Sequence, residues 1–191
     1  MSVIPSITTS KRIKNSINLK YLDMSTENLN NQEAIDKLKD LVNSIDVAMM
    51  ISYPKNSAYP YMTPMSRQEI DDEGNIWYMI SADSETYKNI QADNKVSLSF
   101  GDPGSYTFLS IDGVCESSRD KDRIEKYWNK FVEVYFEKGK EDPSIRVLKV
   151  TPHDTHYWDT KTNKFVTLIK VASAALTGQK IDVGREGELN I

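Results

Sequence analysis

Cysteine is nearly absent: Cys115 is the only one in 191 residues, so neither an internal disulfide nor a cysteine-built metal site is available. A lone thiol is ordinary in a reducing cytoplasm, and the cytoplasm is the expected location. Long hydrophobic runs are missing too. The longest, such as Val47–Ile51, reach five residues, against about 20 for a bilayer span. No apolar segment follows Met1 as in a secretory signal, so a soluble protein with no membrane partner is expected. Histidine is scarce. His153 and His156 stand three apart beside Asp154 and Asp159, but residues three apart in a strand point to opposite faces, so no metal centre is expected. No GxSxG, Walker, GxGxxG or CxxC pattern occurs, which removes the usual supports for hydrolase, P-loop and nicotinamide-binding readings.

Basic charge is also short where a polyanion binder needs it. The net charge of -4 includes a basic start, Lys11, Arg12, Lys14 and Lys20 against the one acid Asp23. That leaves 20 basic and 27 acidic side chains, a net of -7, on residues 24–191. Nucleic-acid affinity comes mainly from Lys and Arg displacing counterions from phosphates, so no nucleic-acid partner is expected. Residues 1–23 are Ser/Thr/Asn-rich without helical periodicity and read as disordered, and Met24 begins a more ordinary start for the reading frame. The expected organisation is a disordered or extended tail over 1–29 and a single domain over 30–191.

With 39% hydrophobic residues the chain suits one compact domain. Ile35, Leu38, Leu41, Val42 and Ile45 form one apolar stripe and predict a helix, with Asn30 and Glu33 as its capping box. The period then changes to two. Strands are predicted at Val47 to Tyr53 and Ala58 to Ser66, the second an edge strand because Pro60 and Pro64 share one parity and cannot donate to a ladder. A hairpin turn at Asp71 to Asn75 leads to a strand at Ile76 to Ile80, then a short helix at Glu85 to Asp93. Strands follow at Lys95 to Phe100 and Tyr106 to Glu116. One helix is predicted to carry Ile124, Tyr127, Trp128, Phe131, Val134 and Tyr135. Two strands, Arg146 to Val150 and Thr155 to Asp159, precede a last helix at Phe165 to Leu176 that stops at Gly178. Seven strand runs joined mostly by hairpin-sized turns predict an α+β fold, an antiparallel sheet curling toward a barrel with peripheral helices.

Two local features bear on chemistry. Ser81-Ala82-Asp83-Ser84 lies between a strand and a helix, where hydroxyls, free N-H groups and the positive helix end suit either a phosphate or an ordinary N-cap, with Lys88 within reach of the same anion. Tyr61, Met62, Met65, Trp77, Tyr78 and Met79 suit either a slot for a planar ring or a plain core. Cys115 lacks a nearby base and reads as a buried thiol. No catalytic acid or base stands out.

Several segments in order are Lys37-Leu38 to Met50, Thr63-Pro64-Met65 with Gln68 to Asp71, Ile76-Trp77-Tyr78 before Ser81 to Ser84, Val96 to Gly104, Ser110 to Glu116 with Arg119-Asp120, and Tyr157-Trp158-Asp159. Together they resemble the general stress protein 26 family of pyridoxamine 5'-phosphate oxidase-like, FMN-binding split β-barrels. The resemblance covers roughly residues 30–190, including Lys170, Ala174, Ala175, Thr177 and Gly178. It implies a homodimer with FMN sites at the subunit interface. By position it lays Thr63, Pro64, Met65, Ser66 and Gln68 along the flavin, with Gln68 at the polar edge of the ring. Met79, Ile80 and Ser81 continue the cradle, Ser84 to Thr86 and Lys88 lie by the phosphate, and Trp158 approaches from the partner chain.

This sequence departs from the family pattern at Thr63 and Thr86, where relatives usually carry an arginine and a lysine, and at Ile80, where a threonine is common. Hydrogen bonds to charged groups contribute about 1.5 to 3 kcal/mol each, so losing two cations lowers FMN affinity by about two to four orders of magnitude. The resemblance implies an FMN-dependent oxidoreductase of unknown substrate. The alternative is a non-catalytic dimeric ligand-binding or stress-related module with a degenerate flavin site.

Overall fold

The computed structural model describes residues 22–160 and 181–191. The predicted helix at Phe165 to Leu176 and the tail up to residue 21 lie outside the described residues.

Helix α1 (Asn31–Ser44) buries Leu38, Leu41 and Val42 of the stripe read from the sequence, together with Ala34, while Ile35 is half-buried and Ile45 is buried just past the helix end. Each buried leucine contributes about 1.5 to 3 kcal/mol, which seats the helix on the barrel. The capping box does not form. Asn30 occupies the N-cap without a side-chain cap bond, because its side-chain oxygen accepts from Asn190 Nδ2 at 2.9 Å instead.

Strands β3 (Val47–Ser52) and β4 (Tyr61–Ser66) form the first hairpin. Pro60 precedes β4, so Pro64 alone of the expected pair lies within it, and β4 ends the sheet order as its edge strand. The next hairpin joins β5 (Glu69–Ile70) to β6 (Ile76–Ser81). Asp71 builds its turn by accepting from the N-H groups of Glu73 and Asn75 at 3.0 and 2.9 Å, and Gly74 supplies the left-handed residue at φ +84°.

Helix α2 (Glu85–Ala92) leads into β7 (Lys95–Asp102) and β8 (Thr107–Ser118). The single helix predicted next is two, α3 (Lys121–Tyr127) and α4 (Lys130–Glu133). Asn129 causes the break. Its Oδ1 accepts from the N-H groups of Phe131 and Val132 while its Nδ2 donates to the Tyr127 carbonyl, so one side chain ends one helix and caps the other. Phe131, Val134 and Tyr135 are consequently exposed.

The two strands predicted beyond Arg146 are one, β9 (Ile145–Asp159). Thr151-Pro152 passes within it at a register shift opposite Asp112 and Gly113. A Cβ on Gly113 would stand 2.3 Å from the Thr151 carbonyl oxygen, so only glycine allows the two strands to approach there.

The ladder runs β4-β3-β7-β8-β9, and β9 also carries β6, which carries β5. Since β4 continues through Arg67 and Gln68 into β5, the chain itself closes the ring, and the seam between β4 and β6 is left without a ladder. This is the split barrel, an α+β fold with a ten-stranded mixed sheet. Leu98, Phe100, Leu109, Ile111, Leu148 and Tyr157 are among the residues filling its interior. A second cluster lies outside it, where Trp77, Ile145 and Val147 meet Ile124, Tyr127, Val132 and Phe136. Both faces of β6 are therefore covered.

Residues 22–29, placed by the sequence within the tail, include β1 (Leu22–Thr26) and the start of β2 (Leu29–Asn30). Both pair in parallel with β10 (Ile181–Asn190), which runs antiparallel to β9. A clasp fixes this corner: Lys37 Nζ bonds Asp159 at 2.6 Å, and Arg185 bonds Glu27 at 2.9 Å and reaches Asp159 at 3.6 Å. Tyr157 donates its hydroxyl to the Glu27 carbonyl at 2.9 Å. Among the described residues no helix is long and apolar enough to cross a membrane.

Candidate functional site

Where β4 passes the first turn of α2, beside the seam, the structure brings Thr63 and Thr86 together. Alternation turns Thr63 and Met65 toward the barrel and Pro64 and Ser66 outward, and Met65 is buried at 7% exposure. Thr86, in the first turn of α2, is 2% exposed. The hydroxyls of Thr63 and Thr86 lie 2.9 Å apart, the side-chain bond that ties α2 to the edge strand. One hydroxyl donates to the other, so the second keeps its proton for a further acceptor.

The approach to α2 is a tight turn. Ser84 donates its hydroxyl to the Ser81 carbonyl at 2.7 Å and accepts from the Tyr87 N-H at 3.2 Å, while the Asp83 N-H donates to Ser81 Oγ. Ser84 is therefore the N-cap. The N-H groups of Glu85 and Thr86, in the first turn, have no intrahelical acceptor and carry the positive end of the helix dipole. Lys88 points to Glu85 at 3.3 Å on an exposed face. Arg67 reaches Asp46 at 3.5 Å, and its Nε is buried without a partner, as is the Tyr78 hydroxyl. Burial pushes the Tyr78 phenol up and the Arg67 charge offsets this only in part. Lys55 stands exposed in the β3-β4 turn.

Met79 and Ile80 point to opposite sides of β6: Met79 packs against the outer cluster and Ile80 lies in the barrel interior. Gln68 is held by its backbone N-H on the Trp77 carbonyl at 2.8 Å. Its Nε2 donates to the Ser66 carbonyl at 3.2 Å, leaving the amide oxygen unspent. Trp158 is not brought to this group within one chain. It sits on the far part of β9 opposite Phe108 and Glu186, its ring 4.6 Å from His156, with β8, β7 and β3 between it and β4.

Sequence reasoning missed one neighbouring cluster. Glu69 accepts from Lys126 at 2.8 Å on both oxygens, from Arg123 at 3.2 Å and from the Tyr127 hydroxyl. Burial pushes the Glu69 carboxyl up, but the bonds from Lys126 and Tyr127, with the charges of Lys126 and Arg123, outweigh it and hold the carboxyl below its usual range. The Arg123 guanidinium lies 3.4 Å over the Trp77 ring. The only advance signal was the charged i, i+3 pair Arg123 and Lys126, and Glu69 is more than 50 residues away in sequence.

Among the described residues, the outer face of β3, β4, β7 and β8 carries exposed apolar side chains. Val47 is 46% exposed, Met62 52% and Phe108 39%.

Residues 33–182 match the pattern of the family described as pyridoxamine 5'-phosphate oxidase like, and the chain belongs to that family. The general stress protein 26 of Jannaschia sp. CCS1 superposes with a TM-score of 0.68 at 23% identity, over 84% of this chain and 100% of the other. The general stress FMN/FAD binding protein of Xanthomonas citri superposes at 0.58 with 23% identity, over 70% of this chain and 93% of the other. Protein bli-3 of Neurospora crassa is 21% identical over 167 residues, 83% of this chain and 80% of its own.

Proposed function

We propose that this chain is a cytoplasmic, homodimeric FMN-binding protein acting as an oxidoreductase. The observation that carries the reading is the seam itself: an unladdered gap in a barrel of this family, edged by β4 and capped by an open helix turn. The residues fit a flavin held by neutral donors. Gln68 offers its amide oxygen to the N-H of a ring edge, and the phosphate faces the free hydroxyl proton of the Thr63-Thr86 pair and the Glu85 and Thr86 N-H groups. When bound, FMN supplies the electron chemistry, and the protein supplies orientation and hydrogen bonds.

The outer face of β3, β4, β7 and β8 supports a second copy as its cover, since exposed contiguous apolar surface marks an interaction site. In that arrangement Trp158, remote from the seam in its own chain, serves the partner's ligand.

The test is reconstitution with FMN, followed by the visible absorption spectrum and by quenching of flavin fluorescence. A yellow dimer with a flavin-dependent rise in Tm is expected. A colourless protein whose Tm ignores FMN overturns the reading. One observation favours a second reading, a ligand-binding module with a degenerate flavin site: Lys88 on α2 and Arg67 just after β4 are turned to Glu85 and Asp46.

A further inference from the structure

The break between α3 and α4 opens a cleft of about 390 Å³, walled by Gln68, Glu69, Lys126, Tyr127, Trp128 and Asn129. That volume is within the range of small-molecule sites. The opening is built rather than frayed, since the Asn129 side chain is spent on both helix ends. Its wall is stiff as well: Glu69 is held by three side chains, and Arg123 clamps α3 onto Trp77.

Counting the donors and acceptors that remain identifies the ligand's chemistry. Glu69 Oε2 is filled by three donors while Oε1 accepts from Lys126 alone, and Asn129 Oδ1 already takes two N-H groups. The Tyr127 hydroxyl donates to Glu69 and accepts from Arg123. Lys126 uses two of its three N-H groups on Glu69, and its side chain is 59% exposed, so one charged donor remains. Gln68 keeps its amide oxygen. Trp128 is half-buried, with Phe136 tilted against it at 6.3 Å, and presents the rest of its ring. A planar ring, a cationic donor and acceptor positions left on Gln68 and on Glu69 Oε1 match an aromatic acid that also carries a hydrogen-bond donor.

We infer that this cleft binds a small aromatic carboxylate beside the flavin site, its ring against Trp128 and its carboxylate on Lys126. The inference rests on the flavin reading above in one respect: Gln68 belongs both to the cleft wall and to the proposed polar edge of the ring, and so joins the two sites.

The test uses 4-hydroxybenzoate as probe and the Trp128 indole N-H signal in a nitrogen-15 correlation spectrum, assigned with Trp128→Phe. Without FMN, the probe is expected to shift that signal, the neutral 4-hydroxybenzamide to do so about tenfold more weakly or worse, and Lys126→Met to weaken the probe by about tenfold to a hundredfold. Lys126→Arg is expected to restore most of the affinity, and a cooperative melt of Lys126→Met, at a Tm lowered only by the lost Glu69 pair, shows that the fold is kept. No shift at Trp128, or equal binding of acid and amide, overturns the site. With FMN loaded, the probe is expected to perturb the flavin absorption bands. A flavin that binds but ignores the probe overturns the placing of the cleft beside it. A protein that binds the probe and no FMN removes the flavin reading, and with it that placing, and leaves a carboxylate site.

Discussion

Thr63 on the edge strand and Thr86 in the first turn of α2 spend their hydroxyls on each other, 2.9 Å apart, at the two positions where the family pattern leads one to look for cations. The same bond stitches the barrel's open seam. Its loss in Thr86→Val leaves Thr63 without its partner in a part-buried place and is expected to cost about 1 kcal/mol, read as a lowered urea midpoint with unchanged m.

The double variant Thr63→Arg, Thr86→Lys is expected to raise FMN affinity by about two to four orders of magnitude, from two charge-assisted bonds of about 1.5 to 3 kcal/mol each. Flavin fluorescence titration measures it. No gain would mean that the phosphate is bound elsewhere.

Acid sensitivity should trace to Glu69. Its carboxyl sits below the usual range in the folded protein, so its contribution is fully present above about pH 4.5 and is lost as the pH falls through the depressed value. Glu69→Gln is therefore expected to lower the Tm at pH 7 and to flatten its decline between pH 5 and the acid limit, seen in a series of thermal melts. Tyr127→Phe removes one of the donors and should narrow the difference between the two profiles.

Gly113→Ala is expected to destabilise by about 3 kcal/mol, because overpacking against backbone cannot be relieved by a rotamer change and the new carbon would lie 2.3 Å from the Thr151 oxygen. Gly187→Ala meets the Glu27 carbonyl at 2.0 Å and should chiefly loosen the N-terminal strands, which hydrogen exchange over residues 22–30 would report.

Cys115 should behave as a reporter of unfolding. Burial pushes its thiol up to about 12, with Glu116 adding to the effect, so almost no thiolate exists at neutral pH. Labelling by a thiol reagent is expected to proceed at the rate of local opening. Rapid labelling of the native protein would contradict its burial at 2% exposure.

Much of the barrel was legible because its signals are local. The stripe on α1, the period-two runs and the Asp71 to Asn75 turn each depend on near neighbours. The errors arose where a distant residue decided. Asn30 gave its side chain to Asn190 rather than to a capping box, and Gly113 let β9 run straight through a proline. The helix break could have been read in place, since Asn129 is a strong N-cap, but the continuing apolar pattern of Trp128, Phe131 and Tyr135 concealed it. In the candidate site, the Ser84 cap was visible in sequence. The Thr63-Thr86 bond was not, because nothing local places an edge strand beside the first turn of α2. The Glu69 cluster was hidden for the same reason.

The parallel zipper of β1 and β2 onto β10 has a consequence for how the chain is made. Leu22 lies beside Ile181 and Asn30 beside Asn190, so the earlier of these segments to leave the ribosome must wait, unmatched, for a partner 160 residues later. Contacts of such long sequence separation are slow to close, and this flank of the sheet is therefore expected to zip up after the barrel beside it.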